Sequence, residues 1–119
     1  MSNQESPAEG LVEELTLGKR NPEQLARAKL VTETAKIPWR ELQRFFAGGT
    51  VIFVSVDIDL VEAAYQVSQD NAERVKAWQA QGLLGHVADA QALEWYNSDA
   101  LVWSVVVRPW VLVQPVQLG

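Results

Sequence analysis

Residues 101–116 read LVWSVVVRPWVLVQPV, and the β-structure of the chain centres on them. Two apolar runs, 101–107 and 110–116, consist mainly of valine and leucine, which is typical of strands. Arg108-Pro109 lies between them. Because Arg-Pro is a poor two-residue hairpin turn, two structures stay open. Either these residues turn a hairpin, or the segment is one long strand bent at a proline bulge near a sheet edge.

A third β-prone run lies upstream, at residues 50–56 (TVIFVSV). Its almost unbroken apolar character predicts a strand in the middle of a sheet, covered on both faces. Within the first C-terminal run, every second residue is large and apolar, which predicts that Leu101, Trp103, Val105 and Val107 share one face of the sheet.

Helical spacing of apolar residues fills most of the remaining sequence. Asn21-Pro22 predicts a helix start, and Ile37-Pro38 and Gly48-Gly49 predict helix ends. In the long stripe that follows, Asn71 is the single polar member, so it marks either a break into two helices or a hydrogen bond to a loop. The predicted helices cover residues 22–36, 38–47, 59–81 and 89–96.

This order of elements predicts an α+β fold, because helices and strands do not alternate regularly. We expect a small, mainly antiparallel sheet packed by about four helices. The single α+β domain covers residues 21–119. Residues 1–20 are polar and acidic, with little apolar sequence, so a disordered tail is expected there.

The composition excludes several kinds of chemistry. The chain has 119 residues, with five tryptophans, one histidine and no cysteine, which removes disulfides, thiol nucleophiles and cysteine zinc sites. The histidine, His86, has no recognisable catalytic partner, so no catalytic site, cofactor or metal is expected. The start of the sequence has no secretory signal and no apolar run is long enough to span a membrane, which together predict a cytoplasmic protein.

Charge is distributed unevenly along the chain. The net charge is −5, and an acidic protein is repelled by nucleic acid. Residues 15–45 are a local exception, with seven bases against three acids. A solvated helix face explains this segment best. Nucleic-acid binding through it, with the acidic residues 1–14 competing, is the weakest of the functional hypotheses.

Two motifs and the order of the middle part resemble a known family. The motifs are ETAKIPWRELQRFFA at residues 33–47 and PWVLVQ at residues 109–114, the latter preceded by Trp103. Between them, a strand, DLVE at residues 59–62, a helix, Trp78 and a glycine follow in the same order. Over residues 25–115 the chain resembles the bacterial domain of unknown function 2288 family. This resemblance implies family membership and no particular activity.

The functional hypothesis from the sequence is a non-enzymatic protein-interaction or assembly module, with a protein partner or a homodimer. Exposed aromatic and arginine side chains beside β-rich edges are typical of such surfaces. The alternative is a small-ligand-binding protein or enzyme, with its site at the corner between the first two helices, around Pro38-Trp39. The candidate residues are Glu33, Lys36, Trp39, Arg40, Gln43, Arg108 and Trp110.

Overall fold

Five strands and five α-helices occur in residues 21–117, the part of the chain that the computed structural model describes. The strands are β1 (Ala35–Pro38), β2 (Val51–Val54), β3 (Leu84–Gly85), β4 (Leu101–Val107) and β5 (Trp110–Pro115). The helices are α1 (Pro22–Glu33), α2 (Gln43–Ala47), α3 (Leu60–Ser68), α4 (Ala72–Ala80) and α5 (Asp89–Asn97), with a 3-10 helix over Trp39–Leu42. The α+β class is confirmed, with one α-helix more than expected. The tail predicted for residues 1–20 lies outside the described residues.

The strands form one sheet in the order β1-β4-β5-β2-β3. Neighbouring strands are antiparallel except for β2 and β5, which run parallel and pair Val51 with Val111. The sheet is therefore mainly antiparallel, as predicted. The apolar run at residues 50–56 lies between two other strands, also as predicted, although its regular part is only β2.

Arg108 and Pro109 turn a hairpin, which decides between the two structures that the sequence left open. β4 and β5 pair along their length, and the pair Val107–Trp110 closes the ladder next to the turn. The Arg108–Pro109 peptide bond is cis. A cis proline in the third position of a four-residue turn is found in type VI turns, which lie outside the asparagine–glycine preferences of common hairpins.

The first predicted helix, 22–36, is too long, because residues 35–38 form a strand. α1 begins as predicted, with Asn21 as its N-cap and Gln24 completing a capping box. It ends at Glu33. The next segment pairs with β4, including Ile37 with Val102. This pairing outweighs the local helix preference of the segment, which is only a weak effect.

The second and third predicted helices are also wrong in detail. Residues 38–47 form the 3-10 helix and then the short α2, because Pro38 is extended and ends β1. Residues 59–81 form two helices, α3 and α4. Asp70 between them has a φ of 56°, which no helix accommodates, and Asn71 caps the second helix through the backbone N–H of Arg74. Asn71 therefore marks a break.

Helices cover both faces of the sheet, so the core has two halves. On one face, α1, α3 and α4 pack against side chains that include Val105 and Leu112. Trp103 and Val107 lie on this face too, as their alternation predicts. On the other face, the 3-10 helix, α2 and α5 pack against side chains that include Val102, Val111 and Val113. Both halves contain fully buried residues.

Both edges of the sheet are short. β1 has four residues and contains Lys36 and Pro38, while β3 has two residues. Short edge strands, charged side chains and proline are features that oppose pairing with the edge of another sheet. The interaction hypothesis depended partly on exposed β-rich edges. The valine-rich β4 and β5 lie inside the sheet instead, so neither of them offers a free edge.

Candidate functional site

A cleft of about 350 Å³ opens between α4 and the sheet, on the face that α1 and α3 also cover. Its sheet side is formed by Ile52, Leu84 and Trp110, which come from three different strands. Its helix side includes Val67 at the end of α3 and Val75 on α4. A cavity of this size, lined mainly by apolar residues, lies within the range of small-ligand sites.

The break between α3 and α4 forms one end of the cleft. Asp70 and Asn71 line this end, and Ala72 begins α4 beside them. The side-chain amide of Asn71 donates to Oε1 of Gln66 at 2.8 Å, while its oxygen accepts from the backbone of Arg74 at 3.2 Å. Both ends of the Asn71 side chain are therefore engaged, and they connect α3 with the first turn of α4.

Polar groups surround the opening. Lys76 and Gln79 project from α4, and His86 follows β3 on the opposite wall. Along the helix axis, Lys76 lies about 6 Å from the first residue of α4, at 1.5 Å per residue. Asp70 is the acidic residue of the lining and lies at the helix break. The lining contains no hydroxyl or thiol side chain, so its reactive groups are restricted to an amine, an imidazole and a carboxylate.

A polar network behind the helix break supports this wall. Arg27 of α1 donates from Nε and Nη2 to the two carboxylate oxygens of Glu62, at 3.1 Å each. Its guanidinium also lies 4.2 Å from the centre of the Tyr65 ring and contacts Glu23. Gln66 donates to Glu62 at 2.7 Å. Because Gln66 also accepts from the N-cap of α4, the network connects α1, α3 and α4.

The network changes the acidity of its charged members. The hydrogen bond from Gln66, followed by the charge of Arg27, lowers the pKa of Glu62, although burial acts in the opposite direction. The hydrogen bond with Glu23 raises the pKa of Arg27. Both shifts favour the charged forms, so the ion pair between α1 and α3 persists at neutral pH.

Two of the predicted site residues have structural roles. Trp39 is 0% exposed, and its ring packs edge-on against Trp95 and Phe46, with centroid distances of 5.1 and 5.4 Å. Within residues 21–117, its Nε1 atom has no hydrogen-bond partner. Gln43 donates to the carbonyl of Trp39 at 2.8 Å. The predicted corner between two helices is instead the end of β1, so the ligand site expected around Pro38-Trp39 has no open space at this indole.

Arg40 and Lys36 lie on the surface and contact aromatic rings. Arg40 donates from Nε to the carbonyl of Tyr96 at 2.9 Å, and its guanidinium lies 4.8 Å from the ring centre of the same residue. The ammonium of Lys36 lies 5.1 Å from the ring centre of Trp103. Each basic residue thus attaches a peripheral element to the domain, and neither lines the cleft.

Glu33 and Arg108 meet in a second cavity, of about 480 Å³, which they form with Lys29 and Val106. Trp110 alone among the predicted residues lines the first cleft. The structure therefore divides the predicted residues among the core, the surface and two cavities. Lys76, Asp70 and Gln79 line the first cleft but were not among the residues expected from the sequence. A usable signal was Asn71, whose polarity within an apolar stripe marked the break that forms the cleft.

Two further observations concern the described part of the chain. None of its helices has the length and apolar character that crossing a membrane requires. Residues 21–117 contain no group of three or more histidine, cysteine, aspartate or glutamate side chains arranged to hold a metal ion.

Comparison with known proteins identifies relatives by sequence and by fold. A family model described as "Protein of unknown function (DUF2288)" matches residues 25–115. The solution NMR structure of PA1075 from Pseudomonas aeruginosa is similar, with 37% sequence identity and a TM-score of 0.68. This match covers 87% of the present chain and 97% of the other chain. No significant match exists among curated proteins.

Proposed function

The chain belongs to the DUF2288 family of proteins of unknown function, and from this premise we propose that it is a non-enzymatic binding protein. Its target places an apolar group in the cleft beside Trp110. The observation that carries this proposal is a partly buried indole at the base of a 350 Å³ opening between a helix and the sheet. Apolar cavities with a few polar groups at the rim are the usual form of binding sites.

The polar lining supports binding more than catalysis. General acid–base chemistry needs a proton-transfer group held by a second group, and the only histidine, His86, is exposed at the rim. The charges of Asp70 and Lys76 flank an apolar floor, which is the arrangement that fixes the orientation of a bound molecule. The network of Arg27 and Glu62 holds the helix wall in place, so the cleft exists before a ligand enters.

A pair of variants on α4 tests this function. Ala72 lines the cleft and is exposed at the start of the helix, so Ala72→Phe fills the opening with little effect on the core. Ala77 is exposed on the same helix outside the cleft, and Ala77→Phe is the matched control. The assay is an amide and indole ¹H–¹⁵N NMR titration with 3-phenylpropionamide, a neutral molecule with an apolar ring.

The titration has a defined expectation. Signals of Trp110, Gly85 and His86 shift with the wild-type protein and with Ala77→Phe, and they do not shift with Ala72→Phe. If the probe leaves these signals unchanged in the wild-type protein, or if it shifts them equally in both variants, the cleft is not a binding site for an apolar group.

A second candidate function is self-association, and a specific surface favours it. Val106 is 51% exposed, although it is a large apolar residue. Val106 lies in the second cavity with Glu33 and Arg108, which carry opposite charges. In a twofold dimer the same patch occurs on both copies, so Glu33 of one copy can face Arg108 of the other. In this form of the homodimer hypothesis, side chains and not strand edges make the interface.

Sedimentation velocity over a wide range of protein concentration tests the dimer. The dimer hypothesis predicts a concentration-dependent shift toward a dimer for the wild-type protein. Val106→Glu abolishes this shift, whereas Leu93→Glu, at an exposed apolar position on α5, leaves it unchanged. A wild-type protein that sediments as a monomer at every concentration contradicts self-association. A protein partner other than a second copy is then the remaining form of the interaction hypothesis.

A further inference from the structure

Acidic and basic residues lie in different parts of the cleft. Its acidic residue, Asp70, lies at the helix break, next to the start of α4. Its basic residue, Lys76, lies farther along the same helix, and His86 lies on the β3 side. Gln79 is one turn beyond Lys76 and adds an amide donor. The end of the cleft toward Lys76 is therefore rich in hydrogen-bond donors that complement an anion.

The floor of the cleft selects the other half of a ligand. Trp110 is partly buried and packs against the core, so part of its indole surface faces the opening. Ile52 and Leu84 extend this surface across the next two strands. Planar rings stack well on an indole, and a flat apolar group covers such a floor with less lost entropy than a flexible chain.

We propose that the cleft binds a small aromatic carboxylate, whose ring lies against Trp110 and whose carboxylate lies at Lys76 and His86. This inference rests on the proposed binding function of the cleft and adds the chemical class of the ligand. The volume of about 350 Å³ suits a molecule with one or two rings. Asp70 repels an anion at the opposite end, and so it gives the ligand a single orientation.

Three probes with the same ring and different charges test the class. 3-Phenylpropionate is an anion, 3-phenylpropionamide is neutral and 3-phenylpropylamine is a cation. Dissociation constants come from ¹H–¹⁵N titrations of the full chain, followed at the indole signal of Trp110. Because Lys76 and His86 are exposed, we expect an affinity about fivefold higher for the carboxylate than for the amide. Added salt reduces this preference by screening.

Lys76→Met keeps most of the apolar stem and removes the charge. It lowers the affinity for the carboxylate to that for the amide and leaves the affinity for the amide unchanged. The control is Lys36→Met, because Lys36 also lies near an indole, that of Trp103, but outside the cleft. Dispersed spectra of both variants establish that they fold.

The outcomes separate this inference from the function on which it rests. Equal affinity for all three probes, or a preference for the amine, overturns the carboxylate class but leaves the cleft as a site for apolar groups. Loss of the carboxylate preference in Lys36→Met as well as in Lys76→Met also overturns it. If none of the probes shifts the signals of the cleft, both the ligand class and the proposed binding function fail.

Discussion

Gln114 holds the loop between β2 and α3, and replacing it tests how much one side-chain amide contributes to this fold. Its Nε2 atom donates to the carbonyl oxygens of Ser55 and Ile58, at 2.8 Å each. Both bonds link the last strand to residues far away in the sequence. Gln114→Met has nearly the same shape and removes both donors. Gln114→Glu also removes them and places a carboxylate against two carbonyl oxygens.

The magnitude follows from the number of bonds. A hydrogen bond within a protein contributes about 0.5–1.5 kcal/mol net, so two bonds contribute about 2 kcal/mol. Because the site is half-buried, water can reach part of the freed carbonyls, and this value is an upper estimate for Gln114→Met. Gln114→Glu costs more, since like partial charges then face each other. For a domain of this size, 2 kcal/mol corresponds to a decrease of roughly 8–16 °C in Tm.

The assay is denaturation by urea at neutral pH, followed by tryptophan fluorescence. The midpoint falls in the order wild type, Gln114→Met, Gln114→Glu, while the dependence of the free energy of unfolding on urea stays constant. Gln91→Met is the control, because Gln91 makes only a surface contact with Glu94 at 3.5 Å, and it changes the free energy by less than about 0.5 kcal/mol. Equal stability of the wild type and Gln114→Met refutes a stabilising role of the two Gln114 hydrogen bonds. So does a Gln114→Glu variant that is no less stable than Gln114→Met.

Three further predictions concern other parts of the fold. Trp39→Ala lowers the free energy of unfolding by about 3–5 kcal/mol, and Trp39→Phe lowers it by less, because the phenyl ring keeps part of the aromatic packing. Thermal denaturation measures both changes. A small effect of the alanine variant contradicts the position of Trp39 in the core. The lowered pKa of Glu62 stabilises the fold above the pKa of the unfolded state, and this stabilisation disappears as the pH falls through the lower pKa of the folded state. Glu62→Gln therefore flattens the acid limb of a plot of unfolding free energy against pH, and an unchanged limb counts against the network. Asn71→Ala lowers the free energy of unfolding by about 1 kcal/mol and speeds hydrogen exchange in α4, whereas Asn71→Asp keeps the N-cap. Equal exchange rates in the two variants would show that the N-cap does not stabilise α4.

The sheet centre and the starts of α1, α3 and α5 could be predicted from the sequence because they depend on local patterns. The C-terminal apolar runs form β4 and β5, and Asn21 caps α1 through its own neighbours. β1 could not be predicted in the same way. Its residues have no strong strand preference, and they are extended because β4 offers a partner from the other end of the chain.

The candidate site was less predictable than the fold, because the cleft is formed by residues that are far apart in the sequence and not by a local motif. Trp110 could be selected from the sequence as an aromatic residue next to a turn. Lys76 and His86 could not, because nothing in their local sequence indicates that α4 and β3 face each other across an opening. Trp39 shows the opposite error: a tryptophan beside a proline and charged residues was a candidate for the ligand site, but its indole fills the core.

The position of β5 has a consequence for the order in which the protein folds. Among the five described strands, β5 comes last in the sequence, yet it lies in the middle of the sheet and alone links the β1–β4 pair to the β2–β3 pair. During synthesis, before β5 emerges, the earlier strands have no ladder that joins the β1–β4 pair to the β2–β3 pair. β5 meets β4 through a local hairpin, but its pairing with β2, as between Val51 and Val111, joins distant parts of the chain, and such contacts form slowly. Completion of the fold must therefore wait until residues 110–115 have emerged, and the nascent chain exposes its valine-rich segments until then.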